Sequence, residues 1–376
     1  MNISLILTRQ CNLRCRYCFE THENDRMTRE TALAAMDMLV RSGDKRCGVS
    51  FFGGEPLLQK SLIYECVAYA GQFPDIRFSF NMTTNGLLLD EEFLTFARDT
   101  SARDTSARDT DARDNRFLIA LSHDGTMSRV NRLYADGRDC LAALDDKLSL
   151  LLSYRPDAFI MATVAPNTAS MAAESVIGLF RQGVRRLNLA PDARPDAGWD
   201  VDSMEILSEQ LDAIADYVYS EFLAGRNVYF NNFEEKILSI VQNKPCHVCR
   251  LGKRKLYVDW DGSIYPCIQF GGVAAYRMGD VIHGVSKVRQ EEIYTRSLQK
   301  PTFCRGCAFE ARCVNDCACL NYQQCGQMNE VSPVQCAWQR TVIRHADELA
   351  RRMMEAADTK AQYKKQLEAR MLFNAR

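Results

Sequence analysis

Three cysteines near the start of the chain have a spacing that suits an iron–sulfur centre. Cys11, Cys15 and Cys18 follow a C-x3-C-x2-C pattern directly after a short apolar run at residues 3–8. Three thiolates can hold three irons of a [4Fe–4S] cluster, which leaves the fourth iron open for a substrate or cofactor. The alternatives are buried thiols or a zinc site, and zinc would need a fourth ligand, for which His22 is the nearest candidate.

The elements that must position this loop follow from the pattern of apolar residues. Up to about residue 235, strand-like runs alternate with helical ones, which predicts six βα units and a parallel sheet covered by helices. Six units form an open, partial (β/α)6 barrel of the TIM type, where eight would close it. Functional loops are expected at the carboxyl ends of the strands, which are predicted at residues 3–8, 48–52, 76–82, 117–122, 159–164 and 187–189.

Glycine-rich and polar turns follow the second and third predicted strands. Gly53 and Gly54 precede Glu55 and a proline, and two glycines allow the backbone to approach a ligand closely. The Glu55 carboxylate and nearby carbonyl oxygens can accept hydrogen bonds from an ammonium group. Thr84 and Asn85 come after the third strand and are followed by glycine, for which an ordinary Asn-Gly turn is the alternative interpretation.

Together these features resemble the radical S-adenosylmethionine (SAM) superfamily over nearly the whole chain. Members carry the three-cysteine loop after the first strand, with an aromatic residue before the third cysteine, here Tyr17. The resemblance implies that the amino and carboxylate groups of SAM chelate the open iron. One electron from the cluster then splits the sulfonium, and the resulting 5′-deoxyadenosyl radical removes hydrogen from a substrate. The difficult chemistry belongs to the cofactor, and the protein supplies position and electrostatics.

The resemblance also implies which residues contact SAM. Gly53, Gly54 and Glu55 match the motif for its amino group, and Arg132 matches the arginine that pairs with its carboxylate. A planar guanidinium suits that role because it binds carboxylates in a bidentate manner, although a solvated surface arginine is the alternative. The nucleoside side of SAM is expected to meet Tyr17, Thr84, Asn85, Ser122, Asp124, Asn188 and Leu189.

Composition and charge indicate which classes of protein are excluded. The chain has 376 residues, enough for two domains, and its 47 basic side chains nearly balance its 48 acidic ones, so nothing indicates nucleic acid as a partner. The apolar run at the start is too short for a signal peptide or a membrane span, so we expect a cytoplasmic protein. In a reducing compartment, 16 cysteines favour metal sites over disulfides.

A second cysteine-rich region begins after residue 245. Its spacing, with Tyr265 and Pro266 before one cysteine, resembles the SPASM domain and implies two auxiliary [4Fe–4S] clusters. Two zinc sites are the alternative, and Cys319 and Cys325 are left over, so either could substitute in the ligand sets. By the resemblance, the first cluster is bound by Cys246, Cys249, Cys267 and Cys317, and the second by Cys304, Cys307, Cys313 and Cys336.

These patterns divide the chain into a partial barrel at residues 1–235, a SPASM domain at 236–340 and a C-terminal helix at 341–376. The signal Asp261-Gly262 predicts a hairpin. An Ala-Arg-Asp repeat at 97–114 has a five-residue period that drifts around a helix, so we predict a solvated extension of the third helix. For the C-terminal helix we expect a solvated element, with packing across the domain or binding of an acidic leader peptide as alternatives.

The reaction is implied by the resemblance alone. Members with a SPASM domain mostly modify peptides or proteins, which suggests a maturase of a ribosomally made peptide that forms a thioether or carbon–carbon crosslink. Anaerobic sulfatase maturases have a similar architecture and carry an aspartate base directly after the Tyr-Pro-Cys element. Ile268 stands there and cannot accept a proton, although another carboxylate such as Asp280 could serve. An iron–sulfur electron-transfer or sensor protein that never cleaves SAM is the alternative of another class.

The expected partners follow from that reaction. They are a precursor peptide or protein and an electron donor of the flavodoxin or ferredoxin type, with no membrane. Because the chain begins at its first predicted strand, we expect either a separate leader-binding protein or recognition by the second half.

Overall fold

A parallel sheet with helices on one face forms the first half of the protein. The structure is a computed structural model and describes residues 1–102, 117–241, 249–313 and 317–374. The six predicted strands are confirmed, and a short seventh pairs with the last of them. In spatial order the parallel strands are β1 Asn2–Thr8, β2 Arg46–Gly53, β3 Arg77–Thr84, β4 Phe117–Ser122, β5 Phe159–Val164, β6 Arg186–Pro191 and β7 Tyr229–Phe230.

The predicted helices between these strands are also confirmed. The first begins after Thr28, whose hydroxyl accepts a hydrogen bond from the backbone N–H of Thr31, as expected at a helix N-cap. A four-residue helix was not predicted because it is too short to show a period. The helices are α1 Arg29–Arg41, α2 Lys60–Ala70, α3 Glu91–Ala102, α4 Ser128–Asn131, α5 Leu141–Tyr154, α6 Ala172–Arg181, α7 Val201–Leu223 and α8 Asn231–Val241.

The two faces of the sheet differ in polarity. Side chains alternate along each strand, so Ile3 and Leu5 point into the fully buried core between sheet and helices. Phe51 and Phe117 stack in that core with ring centroids 5.9 Å apart. The opposite face carries small polar residues such as Ser4 and lines a cavity of about 520 Å³, which we call the lumen.

The second half extends the same sheet beyond β1. Strand β8 Lys255–Val258 runs parallel to β1, and the antiparallel strands β9 Ser263–Tyr265, β10 Gly279–Asp280 and β11 Gly284–Val285 continue from it. The hairpin predicted at Asp261-Gly262 is confirmed between β8 and β9. Because β8 pairs directly with β1, the cysteine-rich half lines one side of the lumen.

The helices of the second half are α9 Lys287–Ser297, α10 Ala318–Cys325, α11 Pro333–Thr359 and α12 Ala361–Asn374. The last two pack against helices of the barrel, so the expectation of a solvated C-terminal helix is wrong. Helix α11 packs on α7 and α8 and buries Trp338 and Leu349. Arg370 forms a buried ion pair with Glu234 of α8. The basic residues that suggested a solvated face therefore sit partly at a packed interface, which a charge count cannot reveal.

Two further predictions concern the Ala-Arg-Asp repeat and the start of the C-terminal helix. Most of the Ala-Arg-Asp repeat lies outside the described residues, which stop at the end of α3 and resume at β4. The predicted boundary after residue 340 falls inside the continuous helix α11. No helix in the described ranges is both long enough and apolar enough to cross a membrane.

Candidate active site

The three-cysteine loop leaves the carboxyl end of β1 and is held by the segment that follows α4. The backbone N–H of Arg14 donates to the carbonyl of Leu133 at 2.7 Å, and that of Arg16 donates to the carbonyl of Asn131 at 2.8 Å. Leu13 is fully buried and anchors the loop between its half-buried cysteines. The loop is therefore a fixed platform, and its thiols lie at the edge of the sheet where the sequence predicts a site.

The environment of the thiols fits an iron–sulfur cluster. Burial raises the pKa of Cys11 to about 11, and burial raises the pKa of Cys15 to about 12 although the charge of Arg132 opposes this. Such thiols stay protonated until a metal displaces the proton. Cys11 Sγ also accepts from the backbone N–H of Leu13 at 3.4 Å and from Asn85 Nδ2 at 3.5 Å. Donors directed at a ligand sulfur are typical of iron–sulfur sites.

The two glycines after β2 approach the protein's own backbone. A Cβ atom at Gly53 would lie 2.3 Å from the carbonyl oxygen of Thr8, and one at Gly54 would lie 2.3 Å from that of Gln10. The N–H of Gly54 donates to Thr8 O, and the N–H of Glu55 donates to Gln10 O, both at 2.8 Å. Any side chain here would push the turn away from the cysteine loop. The glycines thus explain the position of the loop, and their contact with SAM stays a prediction.

Glu55 is fully buried and joins the turns after β2 and β3. One carboxylate oxygen accepts from Thr84 Oγ1 at 2.7 Å and from the N–H of Leu57 at 3.0 Å, and the other accepts from the N–H of Asn85 at 2.8 Å. Burial raises the pKa of Glu55, while these hydrogen bonds act in the opposite direction. Its oxygens are therefore engaged within the protein, and the predicted hydrogen bond to an ammonium group stays a prediction.

A second buried network joins Tyr17, Asp124 and Arg132. The Tyr17 hydroxyl donates to Asp124 Oδ2, Arg132 Nη2 donates to Oδ1 at 3.0 Å, and the Arg132 guanidinium lies 5.5 Å from the centre of the Tyr17 ring. Burial acts to lower the pKa of Arg132, but the charges of Asp124, Tyr17 and Cys15 together outweigh it, and the pKa is raised. Arg132 is thus no solvated surface arginine. Its Nε is buried and has no hydrogen-bond partner among the described residues.

The remaining residues predicted to meet the nucleoside fall on two faces. Asn188 and Ser122 are half-buried, and the alternation along β6 and β4 places their side chains on the lumen face. Leu189 is fully buried in the core on the opposite face of β6. The Leu189 side chain therefore points away from the lumen, because neighbouring strand residues point to opposite sides of the sheet, and its contact with adenine stays a prediction. The sequence alone did not distinguish Asn188 from Leu189.

The cysteine-rich half brings together part of the predicted ligand set for the first auxiliary cluster. Cys249 and Cys267 line the lumen, and Cys317 Sγ lies 3.8 Å from Cys319 Sγ. A hydrogen bond from Cys319 lowers the pKa of Cys267 against the effect of burial. Cys246 lies outside the described residues. The left-over Cys319 is thus part of this group, which the spacing alone could not decide.

The other auxiliary set lies along a turn and the start of α11. Cys304 and Cys307 are joined by a backbone hydrogen bond of 3.2 Å, Cys313 follows, and Cys336 lies in the first turn of the helix. In the ranges that the structure covers, no group of three or more cysteine, histidine, aspartate or glutamate residues is arranged so that it could hold a metal ion. The assignment of these four cysteines to one cluster stays a prediction.

The lumen contains a lysine that sequence reasoning missed. Lys255 is the first residue of β8, and its Nζ donates to Ser50 Oγ at 2.7 Å. Burial lowers the pKa of Lys255. The only sequence signal was its place directly before the apolar residues of β8. The cavity is lined by Asn2, Ser4, Ser50, Phe52, Asn81, Thr83, Cys249, Arg250, Leu251, Gly252, Arg254, Lys255, Leu256, Tyr257, Pro266, Cys267 and Ile268.

Neither Asp280 nor Asp259 is placed to replace the base expected at position 268. Ile268 lines the lumen, and Asp280 does not, since it accepts hydrogen bonds from His283 and Arg277 in the turn after β10. Asp259 follows β8 and binds Arg9 at 2.9 Å. Asp280 is thus not placed to act on a substrate in the lumen.

Comparisons with known proteins agree with the geometry. The family model "Radical SAM superfamily" matches residues 5–102, and the model "Iron-sulfur cluster-binding domain" (SPASM) matches residues 249–308. The cysteine-type anaerobic sulfatase-maturating enzyme of Clostridium perfringens (strain 13 / Type A) is 24% identical over 335 residues, covering 82% of this chain and 85% of that protein.

Two solved structures share the fold. Native anSMEcpe with bound AdoMet has a TM-score of 0.78 at 20% identity, covering 96% of this chain and 100% of that one. Streptococcus suis SuiB bound to precursor peptide SuiA has a TM-score of 0.59 at 15% identity, covering 89% and 75%. The resemblance predicted from the motifs is confirmed, and with it SAM and [4Fe–4S] clusters as cofactors. Residues 5–102 thus match a radical SAM domain, and residues 249–308 match a SPASM iron–sulfur domain.

Proposed function

We propose that the protein is a peptide maturase that removes hydrogen from a ribosomally made peptide and forms a thioether or carbon–carbon crosslink. The observation that carries this proposal is the lumen, which is lined jointly by strands of the barrel and by the SPASM residues Cys249 and Cys267. A peptide in this cavity would lie between the three-cysteine loop and the first auxiliary ligands. An electron from the substrate could then leave through the auxiliary centre.

The chain's own residues would prepare the site. When bound, SAM and the first cluster supply a 5′-deoxyadenosyl radical that abstracts hydrogen. Cys11, Cys15 and Cys18 would hold that cluster, with Asn85 donating to the sulfur of Cys11. Arg132 would face a carboxylate with its unpartnered Nε, and the ring of Tyr17 would offer its face to adenine. Cys249, Cys267 and Cys317, with Cys246 or another thiol, would hold the first auxiliary cluster.

The second candidate is formylglycine formation in a sulfatase. The sulfatase-maturating enzyme covers most of the chain and shares its fold, which favours this candidate. Ile268 counts against it, because it stands where the aspartate base of those enzymes is expected and Asp280 lies outside the lumen. SuiB, which has a similar fold and was crystallised with a precursor peptide, supports the first candidate.

One anaerobic experiment separates these candidates. The reconstituted protein is incubated with dithionite, SAM and either a short peptide encoded beside its gene or a peptide from a sulfatase active site. A crosslink removes two hydrogen atoms from the peptide, whereas formylglycine formation also replaces sulfur with oxygen, and mass spectrometry distinguishes them. If no 5′-deoxyadenosine forms under any condition, the protein is an electron carrier or sensor and the maturase proposal fails.

The partners follow from the proposal. The substrate is a precursor peptide or protein, and the electron comes from a flavodoxin- or ferredoxin-type donor. Delivery of the peptide falls to a separate leader-binding protein or to the second half of the chain. Replacement of dithionite by a reduced flavodoxin in the same assay tests the donor.

A further inference from the structure

The lumen has an unbalanced positive charge. Its lining includes Arg250, Arg254 and Lys255 but, among the described residues, no aspartate or glutamate. Just outside it, Lys253 pairs with Glu291, which shows the usual balance on the surface of this region. The lumen's predicted cluster ligands Cys249 and Cys267 would bring some negative charge, but the described lining has three cations and no carboxylate, which suits a ligand that carries one.

Lys255 is the cation best placed to meet such a ligand. It lies on β8 opposite Asn2 of β1, so its base is fixed by the parallel pairing of the two strands. Its ammonium donates to the neutral Ser50 hydroxyl, and an ammonium has further donors for a carboxylate. Lys255 is exposed to the cavity and has no carboxylate partner among the described residues, so its ammonium is free to bind a counter-ion that enters the lumen.

The position of Lys255 also separates this ligand from the carboxylate of SAM. Ser50 pairs with Ser4, four residues before the end of β1, which corresponds to about 13 Å along the strand. SAM must reach the three-cysteine loop beyond that end. A carboxylate bound by Lys255 would therefore lie apart from that of SAM, and an extended peptide covers the distance in about four residues.

We infer that Lys255 binds a carboxylate of the peptide substrate and selects peptides with an acidic group about four residues from the modified residue. The inference rests on the proposed function, because a peptide must enter the lumen. The carboxylate could belong to an aspartate or glutamate side chain or to the end of the peptide. The two sources share one chemistry, and the experiment below separates them.

The test uses a synthetic library of peptides with a central cysteine, randomised flanks and an amidated carboxyl terminus. Anaerobically reconstituted protein with SAM captures peptides, and mass spectrometry reads their sequences. Wild type should enrich aspartate or glutamate at one fixed offset by about tenfold. Lys255→Met should lose this enrichment, Lys255→Arg should retain part of it, and the matched control Lys253→Met should leave it unchanged. Equal iron content verifies that all variants are loaded.

The outcomes are distinguishable. Capture without an acidic preference, or with a preference that survives Lys255→Met, overturns this inference and leaves the maturase proposal standing. If only a second library with free carboxyl termini shows dependence on Lys255, the bound group is the end of the peptide. If wild type captures no peptide from either library while still forming 5′-deoxyadenosine, the inference and the peptide substrate both fail.

A separate observation concerns Cys319. It is 3% exposed, lies at the start of α10, and its thiol is 3.8 Å from that of Cys317. Cys325 lies in the last turn of the same helix and is half-buried. We infer that Cys319 donates its S–H to the sulfur of the predicted ligand Cys317 and so tunes the first auxiliary cluster.

The test is a redox titration of the auxiliary clusters followed by electron paramagnetic resonance. Hydrogen bonds to ligand sulfurs help set the potential, and their loss lowers it because they stabilise the more negative, reduced state. Cys319→Ala should shift one midpoint potential downward, Cys319→Ser should restore part of the shift through its hydroxyl, and Cys325→Ala should shift neither. An unmoved potential in Cys319→Ala overturns the inference, and so does loss of about four irons, which would make Cys319 a ligand.

Discussion

Charged side chains at the carboxyl ends of the strands have partners within the protein, whereas those in the lumen lack carboxylate partners in the lining. Around the three-cysteine loop, the charges of Glu55, Asp124 and Arg132 are buried and engaged by other groups of the protein. In the lumen, Lys255 is exposed, donates to the Ser50 hydroxyl and has no carboxylate partner among the described residues. A buried charge without a partner is costly, so a protein provides partners wherever the arrangement must be permanent. The first region is built as a permanent support for a cofactor, and the second leaves a partner to be supplied by a substrate.

The largest expected effect comes from removing the loop thiols. Changing Cys11, Cys15 and Cys18 together to alanine should abolish 5′-deoxyadenosine formation and lower iron from about twelve to about eight atoms per chain. Iron analysis and chromatography of the reaction measure both. Cys66→Ala is the matched control, because Cys66 is buried in the core away from the loop and its loss should leave iron content unchanged. Retention of all iron in the triple variant would contradict the assignment of the first cluster.

Breaking the Tyr17–Asp124–Arg132 network should have the next largest effect. Arg132→Met leaves the fully buried Asp124 without its cation, which we expect to lower the free energy of unfolding by about 3–5 kcal/mol. Chemical denaturation of the anaerobic protein measures this loss. The control Arg138→Met removes an exposed arginine that pairs with Asp136, and its stability should match wild type. Similar stabilities for the two variants would mean that the buried network is not a permanent support.

A smaller loss is expected at Glu55. Glu55→Gln keeps the shape but replaces one acceptor oxygen with a donor, so either the Asn85 N–H or the pair from Leu57 and Thr84 loses its acceptor. Each buried donor left unsatisfied costs about 1–3 kcal/mol. Denaturation measures the stability, and equilibrium dialysis with labelled SAM measures binding. Unchanged stability would show that the turns after β2 and β3 do not depend on this carboxylate.

The smallest effect on stability should come from the lumen. Lys255→Met removes a cation that has no ion pair within the described structure, so the melting temperature of the substrate-free protein should not fall. The same variant should lose selectivity for acidic peptides. Unchanged stability with lost selectivity in Lys255→Met, beside the lost stability of Arg132→Met, would show that the two regions use their charges for different purposes. A large loss of stability in Lys255→Met would place Lys255 among the structural charges.

Much of the fold was predictable because its signals are local. Each strand of the barrel is a short run of apolar residues, and each helix shows one apolar face, so elements such as β4 and β5 were placed to the residue. The C-terminal helix was misjudged for the opposite reason. Its many charged residues suggested solvent, but Arg370 finds its partner Glu234 on α8, far away along the chain. An ion pair between residues so far apart in the sequence produces no local sequence pattern.

In the candidate site, too, some features were predictable from the sequence and others required the structure. The spacing of Cys11, Cys15 and Cys18 indicated an open iron because three thiolates in one short loop can reach one cluster whatever surrounds them. The roles of Glu55 and Asp124 needed the structure, since a carboxylate in a motif can face a ligand or its own protein. Cys319 could be assigned to the first auxiliary group only when α10 was placed against β9 and its following turn.

By itself, the sequence determined the order of strands and helices, the three-cysteine loop and the need for iron. These depend on residue type and on spacing along the chain, which folding preserves. Only the tertiary structure decided that β8 pairs with β1, that Lys255 enters the lumen and that Leu189 turns away from it. The physical reason is that a side chain's partners and exposure depend on elements brought together from distant parts of the chain.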